Sequence, residues 1–261
     1  MAMTFDLAAV YALAGPALLV FTRIVALFAV SPLIGGMYVP FQAKALLAAA
    51  VTAVLLPAQI AAMPVSALDG WFALLVVKEA MVGLTIGWFI DLFFQGVRFG
   101  GDLANRHAGY SAAEYFDPET DAAASPIGDL FHIGAVMLFL LTDGHHLFFA
   151  ALSRSYAVIP AGAWTLGPDL VPTLVAGVDE LTRIALAISF PVLSTIMAIT
   201  IAEGVIVRAV PQINMLHFSF AMKIMVSLLV LYAGMPAAVA FMAAALAGMQ
   251  QATFALMPLM R

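Results

Sequence analysis

The chain has no cysteine among its 261 residues, and little charge of either sign: Lys and Arg number 10, Asp and Glu 15. Without thiols there are no disulfides, no thiolate nucleophile and no Cys-ligated zinc. A basic excess is missing too, since the formal net charge is −5, and nucleic acid finds no electrostatic footprint here. Charged residues are 10% of the chain, where soluble domains carry about 25%, and hydrophobic residues are 64%, where about 45–50% is usual. A mean hydropathy of +1.08 rules out an ordinary water-facing exterior, so most of the surface must meet lipid or partner protein. Catalytic signatures are absent as well: there is no H-E-x-x-H, no G-x-S-x-G elbow and no phosphate-binding glycine loop. Neither an enzymatic activity nor a cofactor nor a metal site is expected.

What is present is a series of long apolar runs, at about 7–30, 45–63, 71–97, 127–152, 184–207 and 216–241, with a shorter apolar tail at 242–260. Each of the six is near or above the ~20 residues a helix needs to cross the hydrocarbon layer. Their hydrophobicity is continuous and lacks the in-out alternation of barrel strands, which selects helices over a closed barrel. Asp6 is the only charge before Arg23, and the first run is too long for a signal-peptide core, so it reads as a retained segment. The expected fold is all-α and polytopic, with kinked helices and helical hairpins, as one subunit domain over residues 1–261.

Charges interrupt these runs. Arg23, Lys78, Glu79, Asp91, Glu203 and Lys223 lie within them or at their ends, where an isolated charge costs several kcal/mol unless it pairs, snorkels or faces protein. Lys78 and Glu79 are adjacent and diverge on a helix, so they address different neighbours. Gly83 and Gly87 share a helical face, as in close-packed helix pairs. Pro32, Gly35, Gly36 and Pro40 break the chain after the first run, Pro57 and Pro64 are expected to end the second, and Pro191 and Pro236 to kink or divide later ones. The region from Gly100 to Asp129 is the longest departure from hydrophobicity, and it holds Gly100, Gly101, Tyr110, Tyr115 and Phe116 beside several charges. A loop of that length is uncommon unless functional or disordered. A less apolar region at 153–183 follows it. Charge asymmetry does not orient the chain, because Lys44, Arg98, Arg106 and Arg208 fall on one side and Arg154, Arg183 and Arg261 on the other.

Asp143-Gly144-His145-His146 is the most enzyme-like cluster. Adjacent imidazoles diverge on a helix and do not share one ion, so the cluster reads as a helix start capped by Asp143. His107, His132 and His217 are isolated and read as packed side chains. A small secondary transporter also suits intramembrane charges and broken helices. An intramembrane hydrolase would need a nucleophile that Asp143 and His145 do not have.

Several segments together resemble the FliR family of flagellar export proteins and its virulence-type counterparts SctT, SpaR and YscT. They are Arg23-Ile24-Val25-Ala26-Leu27-Phe28 with Ser31-Pro32-Leu33-Ile34-Gly35-Gly36 and Val39-Pro40; the block from Lys78-Glu79 through Gly83 and Gly87 to Trp88; Phe139 to His146 with Ser155-Tyr156-Ala157-Val158-Ile159-Pro160; and Arg208-Ala209-Val210-Pro211-Gln212-Ile213-Asn214 with Lys223 in the following helix. The stretch before Lys223 lacks the Gly-Phe-Pro of many flagellar members and has Ser219 and Ala221 instead. His145-His146 after Gly144, and Asp117-Pro118, favour the flagellar branch over the injectisome branch.

The resemblance implies a gate and no catalysis: one subunit co-assembled with FliP-like and FliQ-like subunits in the bacterial inner membrane at the flagellar basal body. Unfolded exported proteins reach it from FlhA-like and FlhB-like components, and membrane lipid surrounds it. It also implies that the 100–126 loop, with Gly100, Gly101, Tyr110, Tyr115 and Phe116, plugs the lumen. Subunit contacts are expected at Arg23, Lys78, Glu79, Arg208, Pro211, Gln212, Asn214 and Lys223.

Overall fold

A computed structural model describes residues 7–32, 35, 39–62, 72–110, 125–165, 167–209 and 215–260. Among these there are seven α-helices and no strand: α1 Leu7–Val30, α2 Phe41–Ala62, α3 Phe72–His107, α4 Pro126–Leu141, α5 His145–Val158, α6 Leu170–Ala209 and α7 Met215–Leu256, followed by a 3₁₀ turn at Met257–Met260. Helices dominate because a backbone in an apolar medium must satisfy its own N–H and C=O groups within the segment. The few hydroxyls obey the same rule. Thr22, Thr52, Thr85 and Thr253 each donate to the carbonyl four residues earlier, at 2.7–2.8 Å.

Five helices are long and apolar enough to cross a membrane, and α4 with α5 forms a pair of comparable character bent by 68°. The six apolar runs are therefore real elements, although several boundaries move. The fourth run is broken at 142–144, and the turn there carries Asp143 at φ 55°. Half of the less apolar 153–183 region is the opening of α6, and the apolar tail continues α7. Pro57, Pro191 and Pro236 sit inside continuous helices. Each removes one i→i−4 hydrogen bond, and a helix of this length keeps enough others to continue. Pro57 thus does not end its helix, which runs to Ala62; Pro64 lies outside the described residues.

The chain forms two compact units. The first takes residues Met1–Asp91, Thr142–Gly177 and Met249–Arg261, and its core includes Leu19, Val20, Ile24, Leu27, Val82, Ile86, Phe148, Leu152 and Met257. Within it α3 lies directly on α1. A side chain at Gly83 would strike the carbonyl of Arg23, and a Cβ at Gly87 would fall 2.8 Å from that of Leu27, so the shared glycine face is what admits the close approach. The second unit takes Leu92–Leu141 and Val178–Gly248. Its core centres on Phe93, Phe94, Phe131, Phe139, Ile184 and Ile188, with Phe94 edge-on to both Phe93 and Phe139 at 5.1 and 5.3 Å. Outside both cores the apolar surface is broad: Phe41, Val54, Leu141 and Tyr232 are all more than 75% exposed. Surface of this kind belongs against lipid or protein.

Candidate functional site

Three polar clusters stand out in this apolar chain. The first is a closed knot in the first unit. Arg23 of α1 and Glu79 of α3 are both fully buried and pair in a two-pronged fork, Nε to Oε2 at 2.7 Å and Nη2 to Oε1 at 3.1 Å. Nη1 of Arg23 also donates to Ser155 Oγ at 3.2 Å and to the carbonyl of Ile159 at 3.1 Å. The Gly162 N–H donates to Glu79 Oε1 at 2.7 Å. The guanidinium lies 4.1 Å from the centroid of the Tyr156 ring, whose hydroxyl donates to the carbonyl of Val20 at 3.1 Å. Burying two charges is expensive, and only a fork with its remaining donors and acceptors served recovers that cost. The knot meets that condition.

Subunit contacts were expected at both members of this pair, and the geometry corrects that. Arg23 and Glu79 have no surface to offer a partner, because each is spent on the other and on the turn after α5. Lys78 is half-buried and has no ion-pair partner among the described residues, so the adjacent residues do diverge.

The second cluster, in the second unit, holds the start of α4. Ser125 Oγ accepts from the Gly128 N–H at 3.2 Å, and Asn105 Oδ1 of α3 accepts from the Ile127 N–H at 3.5 Å. Arg98 and Asp129 form a half-exposed pair at 3.2 Å. Gly100 and Gly101, read from the sequence as loop residues, lie in α3 and are buried. A Cβ on Gly100 would fall 2.7 Å from the carbonyl of Ala185, and one on Gly101 would fall 2.7 Å from the Cα of Gly128. They are spacers for neighbouring helices, not hinges. The loop begins instead at Ala108: Gly109, at φ 89°, turns the chain away from the helix and half-buried Tyr110 follows. Tyr115 and Phe116 lie outside the described residues.

The third cluster joins α6 and α7. Lys223 Nζ is 3.1 Å from Glu203 Oε2. Arg208 stands exposed in the last turn of α6, and Pro211, Gln212 and Asn214 lie outside the described residues.

At the turn before α5, Asp143 does not cap the helix: the N-cap is Gly144, with no side-chain cap, and His145 sits edge-on to His146 at 4.3 Å. Sequence reasoning missed Ser155, Tyr156 and Gly162 as partners of the buried pair. Their signal was a Ser-Tyr preceding a proline and glycine break, which pointed to a helix end without saying what the end would meet.

The fold and these clusters define a multi-pass helical membrane protein with a closed, fully buried ion pair in its first unit and a part-open one in its second. Residues 15–249 match the family model of bacterial export proteins, family 1, and the chain belongs to that family. It is 30% identical to the flagellar biosynthetic protein FliR of Bacillus subtilis strain 168, over 82% of this chain and 83% of that one. It is 24% identical to the FliR proteins of Escherichia coli strain K12, over 82% of each chain, and of Caulobacter vibrioides, over 81% of this chain and 85% of that one.

Proposed function

We propose that this chain is a non-catalytic subunit of the export gate of flagellar type III secretion. It sits in the bacterial inner membrane at the basal body, co-assembled with FliP-like and FliQ-like subunits, and passes unfolded proteins delivered by FlhA-like and FlhB-like components. The observation that carries this reading is the family match over residues 15–249, together with similarity to a flagellar FliR protein over 82% of the chain. The broad exposed apolar surface supports it, since a subunit packed among other helical subunits needs such faces. Affinity purification in mild detergent tests it. Two other small helical membrane proteins should be recovered at fixed ratio, and recovery of the chain alone would overturn the reading.

Within that gate, the segment from Ala108 to Ser125 serves as the plug. Tyr110, Tyr115 and Phe116 close the lumen to water and ions by apolar constriction. The chain has no cysteine of its own, so cysteines engineered at 110 and 116 report without background. Crosslinks to lumen-facing partner residues in the closed complex are expected. Arg208, Pro211, Gln212, Asn214, Lys78 and Lys223 serve as subunit contacts, because charged and polar groups in so apolar a chain are costly unless a partner serves them. Complex recovery after Arg208→Ala and Gln212→Ala should fall; unchanged assembly and export would reject the assignment.

A further inference from the structure

Between residues 198 and 209 of α6, Glu203 is the one buried residue, and it is a carboxylate in an apolar stretch. Ile206 and Val207, one turn further on, are 42% and 44% exposed. The ion pair with Lys223 is lopsided. The ammonium reaches Oε2, while Oε1 is closed from solvent and has no hydrogen-bond partner among the described residues. An ammonium centred on the carboxylate would serve both oxygens. This one serves a single oxygen, and its side chain is 19% exposed against 10% for the glutamate. Lys223 has three N–H donors and no second partner among the described residues, so donors remain unspent on its accessible side.

The local charge completes the picture. From residue 197 to residue 232 the chain carries two cations, Arg208 and Lys223, against one carboxylate, Glu203, an excess of one positive charge. A part-open ammonium with unspent donors is costly beside an apolar surface, even with one carboxylate at its side. We infer that Lys223 is a docking point for a carboxylate carried on an apolar helix of a partner gate subunit, seated across Ile206 and Val207. An apolar helix matches the exposed aliphatic flank, and one acidic side chain removes the excess charge and takes the unspent donors. Glu203 is then a positioning residue that holds the ammonium in place with its unspent donors turned outward. The inference rests on the export-gate reading and adds the chemistry of the partner.

The test uses the whole gate, purified through a tagged partner subunit at matched membrane levels of this chain. The double variant Glu203→Gln with Lys223→Met removes the internal pair without stranding either charge. The swap Glu203→Lys with Lys223→Glu keeps a pair but withdraws the outward cation. Each should reduce co-recovery at least about tenfold, a loss of about 1.4 kcal/mol. Recovery of either at the parental level would overturn the inference while leaving the gate reading intact, whereas failure of the parental chain to recover any partner would overturn the gate reading itself. A photo-crosslinking residue at Ile206 or Val207, with positions 203 and 223 unaltered, covers variants that do not accumulate. The expected product is an adduct to a partner peptide that carries Asp or Glu within an apolar run. Adducts to lipid alone, or to a peptide without an acidic residue, would overturn the inference.

Discussion

Two buried ion pairs hold opposite stations in this chain. Arg23 and Glu79 share two hydrogen bonds and have their further lone pairs and protons taken by Ser155, Ile159 and Gly162, with no exposure on either side. Lys223 and Glu203 share one contact, leave one oxygen unserved, and keep the cation part-open. A closed, bidentate pair belongs to the fold of its own unit, because nothing of it is available to another molecule. An open, lopsided pair is available for recognition. The difference shows why the presence of a charge in an apolar run does not by itself mark a contact site: the partners already supplied within the chain decide.

The comparison breaks most visibly at the closed pair. Arg23→Ala leaves Glu79 buried without its partner and should cost about 3–5 kcal/mol, seen as loss of the chain from the membrane or a sharply lowered unfolding temperature in detergent. An unchanged melt would show that the knot is not what anchors α1 to α3. Gly83→Leu attacks the same helix pair from its packing side, since the new side chain meets the backbone of Arg23. Overpacking of this kind should cost about 1–3 kcal/mol, read in the same assay. Tyr156→Phe keeps the ring beside the guanidinium and removes only the hydrogen bond to Val20, a loss of about 0.5–1.5 kcal/mol. Arg98→Ala, at a pair that is half-exposed, should change stability by about 0–1 kcal/mol. If Arg98→Ala proved as damaging as Arg23→Ala, burial would not be what separates strong from weak pairs in this protein.

The helices were legible in the sequence because hydrophobic length is a local property, and a run such as 7–30 needs no knowledge of its neighbours. The divergence of Lys78 from Glu79 was legible for the same reason, as it follows from the helical step. The destination of Glu79 was not: Arg23 is 56 residues away, and no local rule pairs them. Gly100 and Gly101 were misread because glycine serves two physical ends, backbone freedom in loops and close approach between helices, and only the position of Ala185 and Gly128 distinguishes them. Pro57 was misread as a terminator for a related reason. Its steric rule acts within one turn, whereas the continuation of a helix through it depends on the turns on either side.

The knot around Arg23 also sets an order for making the protein. Arg23 belongs to α1, while its carboxylate partner comes 56 residues later in the chain and the carbonyl of Ile159 136 residues later. A cation placed alone at a membrane helix centre costs about 2.5–3.5 kcal/mol on insertion. The buried ion pair can therefore close only once α3 has been made, and the knot is complete only once the turn after α5 has followed.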